Sequence, residues 1–148
     1  MRKTATNILL AEDNAADIVL IKKCLKEATS FSFELHVVKD GEAVLNFLAQ
    51  KGDYLGKPSP DLIILDLNMP KLSGIEVLQQ IKADDRLKVT PIIILTSSDS
   101  RDDIVSAYKN HANCYIQKPR DLEGLMQVCK RIDDFWLELV EFPASKGD

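Results

Sequence analysis

Apolar residues along this chain follow two alternating rhythms. The runs Ile8-Leu9-Leu10-Ala11, Leu62-Ile63-Ile64-Leu65 and Ile92-Ile93-Ile94-Leu95 are continuous, as expected of strands covered on both faces. Phe33 to Val38 alternates through Phe33, Leu35 and Val37, and Cys114 to Ile116 reads as a fifth strand. Between these runs the spacing turns helical. Asp17 to Ala28 carries Ile18, Ile21 and Leu25, and "DGEAVLNFLAQ" carries Ala43, Val44, Phe47 and Leu48 behind Asp40 as N-cap. Gly74 to Ala83, Asp102 to Asn110 and a long Leu122 to Leu139 complete the helices. The segment "KGDYLGKPSP" is a loop on its Gly and Pro content.

Five β/α units of this kind predict an α/β fold: a five-stranded parallel sheet, doubly wound, with an extended C-terminal helix. One domain over residues 7–140 is expected, with a flexible tail at 1–6 and another at 141–148. In such sheets ligands sit beyond the carboxyl ends of the strands, so the residues just past each run matter most. They are Glu12 and Asp13 after the first, Asp66 and then Asn68 after the third, Thr96 after the fourth, and Lys118 with Pro119 after the fifth.

The stretch "DLIILDLNMP" sharpens the point, because a segment fit for a core ends on a carboxylate at Asp66. Three carboxylates packed together repel one another unless a cation joins them. Carboxylates, a carbonyl and water suit Mg²⁺, with phosphate oxygens completing its octahedron. Lys118 adds a point charge for a phosphoryl oxygen and Thr96 a donor. A carboxylate in this company can act as a nucleophile that forms an aspartyl phosphate. Taken singly, each residue has a plainer reading: Asp13 as a helix N-cap, Thr96 as a turn residue, Lys118 as a solvated surface lysine. Their joint placement favours the chemistry.

Composition narrows the alternatives. A hydrophobic content of 45% with 28% charged residues suits an ordinary globular domain. The net charge of −4, without a basic stripe, argues against nucleic acid. Cys24, Cys114 and Cys129 are unpaired in spacing and far from any His cluster, which argues against a disulfide framework or zinc site. No apolar run reaches transmembrane length and the start lacks a signal-peptide core, so a cytoplasmic protein is expected, away from membranes.

At this point the sequence resembles the receiver domain of two-component response regulators, of the chemotaxis-regulator type. The carrying residues are "ILLAEDN", "LIILDLNMPKLSG", "PIIILTSS" and "YIQKP", spread over about residues 7 to 140. The resemblance implies that Asp66 takes a phosphoryl group from a histidine kinase. It implies that Asp13 and Asp66 bind Mg²⁺ directly, with the Asn68 backbone carbonyl, and that Glu12 acts partly through water. It further implies that Lys118 pairs with the phosphoryl group, while Thr96 turns inward and Tyr115 follows as a switch. The plainer reading is Tyr115 as core, since a tyrosine in a strand needs no further explanation. Gly74 and Pro119 are expected to be structural, with the Lys118–Pro119 peptide cis.

Glu12 stands where aspartate is commoner in the family. The long loop and the terminal "IDDFWLELVEFP" resemble the small, single-domain regulators that partner phytochromes. Phe135, Trp136, Leu139 and Phe142, with Val140, offer more apolar surface than one helix face can bury. A homodimer through this end is therefore expected. Signalling is expected to run through protein contact, not through turnover of an external substrate or through a DNA-binding segment. Two rivals are a receiver-like binding module that works without phosphorylation, and a haloacid-dehalogenase-type phosphatase. The second needs a carboxylic acid two residues beyond its nucleophile, where this chain has Asn68.

Overall fold

A computed structural model of the chain describes residues 5–28 and 32–143. The strands are β1 (Thr6–Ala11), β2 (Phe33–Val38), β3 (Leu62–Leu65), β4 (Ile92–Thr96) and β5 (Cys114–Gln117). The helices are α1 (Ala15–Ala28), α2 (Gly41–Leu48), α3 (Gly74–Ala83), α4 (Arg101–Lys109) and α5 (Leu122–Ile132). A short 3₁₀ turn at Gly52–Tyr54 lies in the long loop, and a π-helical segment, Asp133–Leu139, follows α5.

The strands pair in parallel in the order β2-β1-β3-β4-β5. This is the flavodoxin-like order, with its topological switch point between β1 and β3. Strand residues face alternate sides, and both sides are buried. Leu9, Ile63, Leu65, Ile92 and Ile94 point toward Val44, Phe47, Val77, Leu78, Ile81 and Ala107 of α2, α3 and α4. Ile8, Leu10, Leu62, Ile64 and Ile93 point toward Ile21, Leu25, Leu125, Cys129 and Ile132 of α1 and α5. Each such side chain contributes roughly 1.5–3 kcal/mol by leaving water, which is why the apolar runs of β3 and β4 have no polar break.

Helix starts are fixed by side-chain caps. Asp40 accepts from Ala43 N–H at 2.7 Å, and Ser73 with Glu76 forms a reciprocal capping box. The α1 cap is Asn14, whose Oδ1 accepts from Asp17 N–H at 2.9 Å. The helix therefore begins two residues before Asp17, and Asp13 is left outside the capping role. Thr6, expected in the tail, already pairs with Phe33 and is buried. The tail positions 1–4 and 144–148 lie outside the described residues.

Two expectations are corrected. The described residues contain no cis peptide, so Lys118–Pro119 is trans, the form favoured by about 0.5–1 kcal/mol for an X–Pro bond. The long last helix does not run on as an α-helix. After Ile132 the chain winds with the wider i→i+5 bond, Val140 N–H donating to Phe135 C=O at 2.8 Å. Ile132 and Leu137, five residues apart, thereby share the core face and are both buried. Trp136 and Phe142 pack against the same core, while Phe135 and Leu139 are turned outward at 51% and 68% exposure. The exposed apolar surface at this end is thus that of Phe135 and Leu139, not of all four aromatic and aliphatic residues.

Candidate functional site

The ends of four strands converge as expected, and backbone hydrogen bonds carry the sheet one step past each strand. Glu12 N–H donates to Val38 C=O at 3.0 Å, Asp66 N–H to Ala11 C=O at 3.0 Å, and Lys118 N–H to Thr96 C=O at 2.7 Å. Glu12, Asp66 and Lys118 are therefore each held by the neighbouring strand rather than by a free loop. That is why Leu62–Leu65 ends on an acid: the ladder fixes the Asp66 backbone while its side chain leaves the apolar layer.

Gly74 supports the same turn. A Cβ there would stand 2.6 Å from both Asp66 O and Leu67 Cα, closer than any side chain tolerates. Only glycine lets α3 start this close behind Asp66, with Gly74 N–H bonded to Leu67 C=O at 2.9 Å.

Glu12 and Asp66 are buried and Asp13 is exposed. Glu12, Asp13 and Asp66 each offer a carboxylate oxygen, all within 4.8 Å of one another. The Lys118 ammonium lies among them, 2.6 Å from Glu12 Oε1 and 3.1 Å from Asp66 Oδ2. Its third partner is Asp17, at 2.8 Å from Oδ2, a residue the sequence offered only as a helix start. Asp17 and Lys118 are 101 positions apart, so their pairing exists only once α1 is docked beside α5. An acid in the first turn of a helix otherwise signals nothing beyond the helix dipole.

The electrostatics follow from this crowding. Burial, with Asp66 close by, pushes the Glu12 carboxyl up to about 7 against the hydrogen bond from Lys118. Burial pulls the Lys118 ammonium down, but hydrogen bonds to Asp17 and Glu12 and the charge of Asp66 outweigh it, and its pKa stands above the ordinary lysine value. Three carboxylates around one ammonium, with Asp13 beside two of them, leave a surplus of negative charge. An all-oxygen donor set with that surplus fits a hard divalent cation. Asn68 is exposed, and its N–H donates to Asp66 Oδ1 at 3.1 Å.

Thr96 is fully buried and its Oγ1 has no hydrogen-bond partner. Tyr115 is half-buried against the α2–α3 side of the core, and its hydroxyl donates to Ser98 C=O at 2.9 Å. Ser98 Oγ in turn donates to Asp103 Oδ2 at 2.6 Å, and Tyr115 N–H donates to Tyr108 Oη at 3.1 Å. Tyr115 is thus tied to both the β4–α4 loop and α4. Neither Asp103 nor Tyr108 stood out in the sequence, since each looks like an ordinary helix-surface residue. Phe135, Trp136, Leu139 and Phe142 lie on the π-helical segment and the chain after it, outside this cluster.

Comparison with known proteins agrees with this fold. The response regulator receiver domain family matches residues 8–130. Response regulator Rcp1 of Synechocystis sp. is 45% identical over 138 residues, covering 93% of this chain and 93% of that protein. The crystal structure of the Mn²⁺-bound form of Rcp1 matches with a TM-score of 0.89 at 44% identity, covering 94% of this chain and 99% of that one. The phosphorylated cyanobacterial phytochrome response regulator RcpA matches with a TM-score of 0.90 at 43% identity, covering 95% and 99%.

Proposed function

The chain belongs to the response regulator receiver family, and from that premise we propose that Asp66 is its phosphoacceptor. The observation that carries this is the juxtaposition of a buried Asp66 with Lys118 Nζ at 3.1 Å and with Glu12 and Asp13 oxygens within 4.8 Å. In the proposed reaction an Asp66 oxygen forms a bond to phosphorus. The phosphohistidine P–N bond breaks, leaving its electron pair on the imidazole nitrogen. Lys118 steadies the phosphoryl oxygens electrostatically. The cation we assign is Mg²⁺, held by Glu12, Asp13, Asp66 and the Asn68 carbonyl; it supplies charge neutralisation for the phosphoryl oxygens. The mainly dissociative transition state asks little else of the protein than positioning and charge.

Thr96 then acts as the switch. Its orphan hydroxyl gains a phosphoryl oxygen as acceptor, and Tyr115 leaves the Ser98 carbonyl to follow it inward. A local charge change thereby biases a two-state element. Hydrolysis of the acyl phosphate ends the signal, so the domain turns over no external substrate.

The donor is a histidine kinase. RcpA is described as a phytochrome response regulator, which supports a phytochrome-like kinase as this chain's donor too. We assign the receiver to residues 7–140. Phe135 and Leu139, with Trp136 and Phe142 behind them, form the homodimer contact. No nucleic-acid role is assigned at a net charge of −4. No helix among the described residues is long and apolar enough to cross a membrane, and a cytoplasmic location fits the proposed relay.

Intact-mass measurement after incubation with acetyl phosphate and Mg²⁺ tests the reading. Wild type gains one phosphoryl mass, lost with chelator and in Asp66→Asn. Absence of any adduct in wild type would favour the binding module that works without phosphorylation.

A further inference from the structure

An ammonium has three N–H donors, and those of Lys118 face three carboxylates, at 2.6 Å (Glu12), 2.8 Å (Asp17) and 3.1 Å (Asp66). The lysine is saturated. A phosphoryl oxygen on Asp66 can be bonded by Lys118 only if one of these acceptors gives way. The three differ in what release costs. Glu12 and Asp66 side chains are 2% and 6% exposed, whereas Asp17 is 32% exposed. Glu12 and Asp66 belong to the proposed cation donor set and stay in the buried cluster, whereas Asp17 lies outside that set and can turn to water without bearing the full desolvation penalty. Asp17 is also no chance surface neighbour. It stands in the first turn of α1, its backbone N–H held by the Asn14 cap, and so reaches Lys118 from a fixed helix start.

We propose that Asp17 is a positioning residue that holds Lys118 in the unphosphorylated chain and competes with the phosphoryl group for one of its N–H donors. This rests on the assignment of Asp66 as phosphoacceptor and adds a residue to that site. Asp17 acts through Lys118 and touches no phosphoryl oxygen. Its carboxylate also adds negative charge beside the path of an incoming phosphoryl dianion. Both effects oppose phosphorylation, and removing the carboxylate relieves both.

The test is titration with beryllium fluoride, a phosphoryl mimic, at saturating Mg²⁺, followed by calorimetry. Asp17→Asn and Asp17→Ser are expected to lower the apparent dissociation constant by about three- to tenfold, the range of a partly screened charged contact. Asp17→Glu, which keeps the charge, returns it toward wild type. Asp85→Asn removes the same charge from a 96% exposed side chain paired with Lys88 and leaves the constant unchanged. A purely structural Asp17 would show weaker binding in both neutral variants instead. Wild-type binding with unchanged or weakened Asp17→Asn and Asp17→Ser overturns this inference alone. No binding by wild type overturns the phosphoacceptor reading and this inference with it.

Discussion

Thr96→Val separates the fold's need for this residue from its function. Thr96 is 0% exposed, and its Oγ1 meets no acceptor or donor. A buried hydroxyl without a partner costs roughly 1–3 kcal/mol, and valine replaces it with a methyl group of nearly the same shape. The branched side chain keeps its strand preference, so the substitution is expected to stabilise the protein by about 1–2 kcal/mol. For a domain of this length that corresponds to a rise in Tm of about 2–8 °C. Urea unfolding should show a higher midpoint at an unchanged slope. The same variant should lose the switch. Wild type gains thermal stability on binding Mg²⁺ and beryllium fluoride, as any ligand selective for the native state requires, and Thr96→Val should gain distinctly less. Destabilisation by Thr96→Val would instead mean that the hydroxyl is already satisfied in the resting fold and is not held free for the phosphoryl group.

Three further outcomes are expected. Gly74→Ala places a methyl group against the Asp66 and Leu67 backbone; after a small gain in helix preference it should destabilise by about 1–3 kcal/mol and slow phosphorylation, both measurable by urea unfolding and intact mass. His36, in β2, has its pKa pulled below 6.5 by burial, outweighing the attraction of Glu34; the unfolded chain therefore binds the proton first, so His36's contribution is present above pH 6.5 and is lost as pH falls through the folded value. Glu12, raised to about 7, works in the opposite direction, so the check is a comparison: urea midpoints at pH 7.5 and 5.5 should differ less favourably for wild type than for His36→Gln. Finally, Phe135→Ser with Leu139→Ser should abolish the dimer that sedimentation velocity is expected to find with beryllium fluoride present, and a monomeric wild type at high concentration would contradict the assignment of that surface.

Much of this molecule could be read from its sequence, for identifiable reasons. Strands β3 and β4 are buried on both faces, so their apolar runs are uninterrupted and the acid or hydroxyl that ends each is conspicuous. Helix α3 runs over the expected Gly74–Ala83 because Ser73 and Glu76 write its start into adjacent positions. What escaped depended on distance or on winding. Asp17 meets Lys118 across nearly the whole chain, and no local pattern announces that pair. An i→i+5 turn and an α-helix both accept "IDDFWLEL", yet they send different residues inward. That choice decides that Leu137 and Trp136 meet the core while Phe135 and Leu139 face outward. The peptide isomer at Lys118–Pro119 is likewise a matter of tertiary context.

In the proposed reaction one carboxylate, that of Asp66, carries the phosphoryl group. Borohydride reduction of the phosphorylated protein converts an aspartyl phosphate to homoserine, and peptide mass spectrometry then locates it. Homoserine at position 66, and at no other aspartate, is the predicted result. Homoserine at position 13 or 17, or at none after a phosphoryl mass gain, would contradict it.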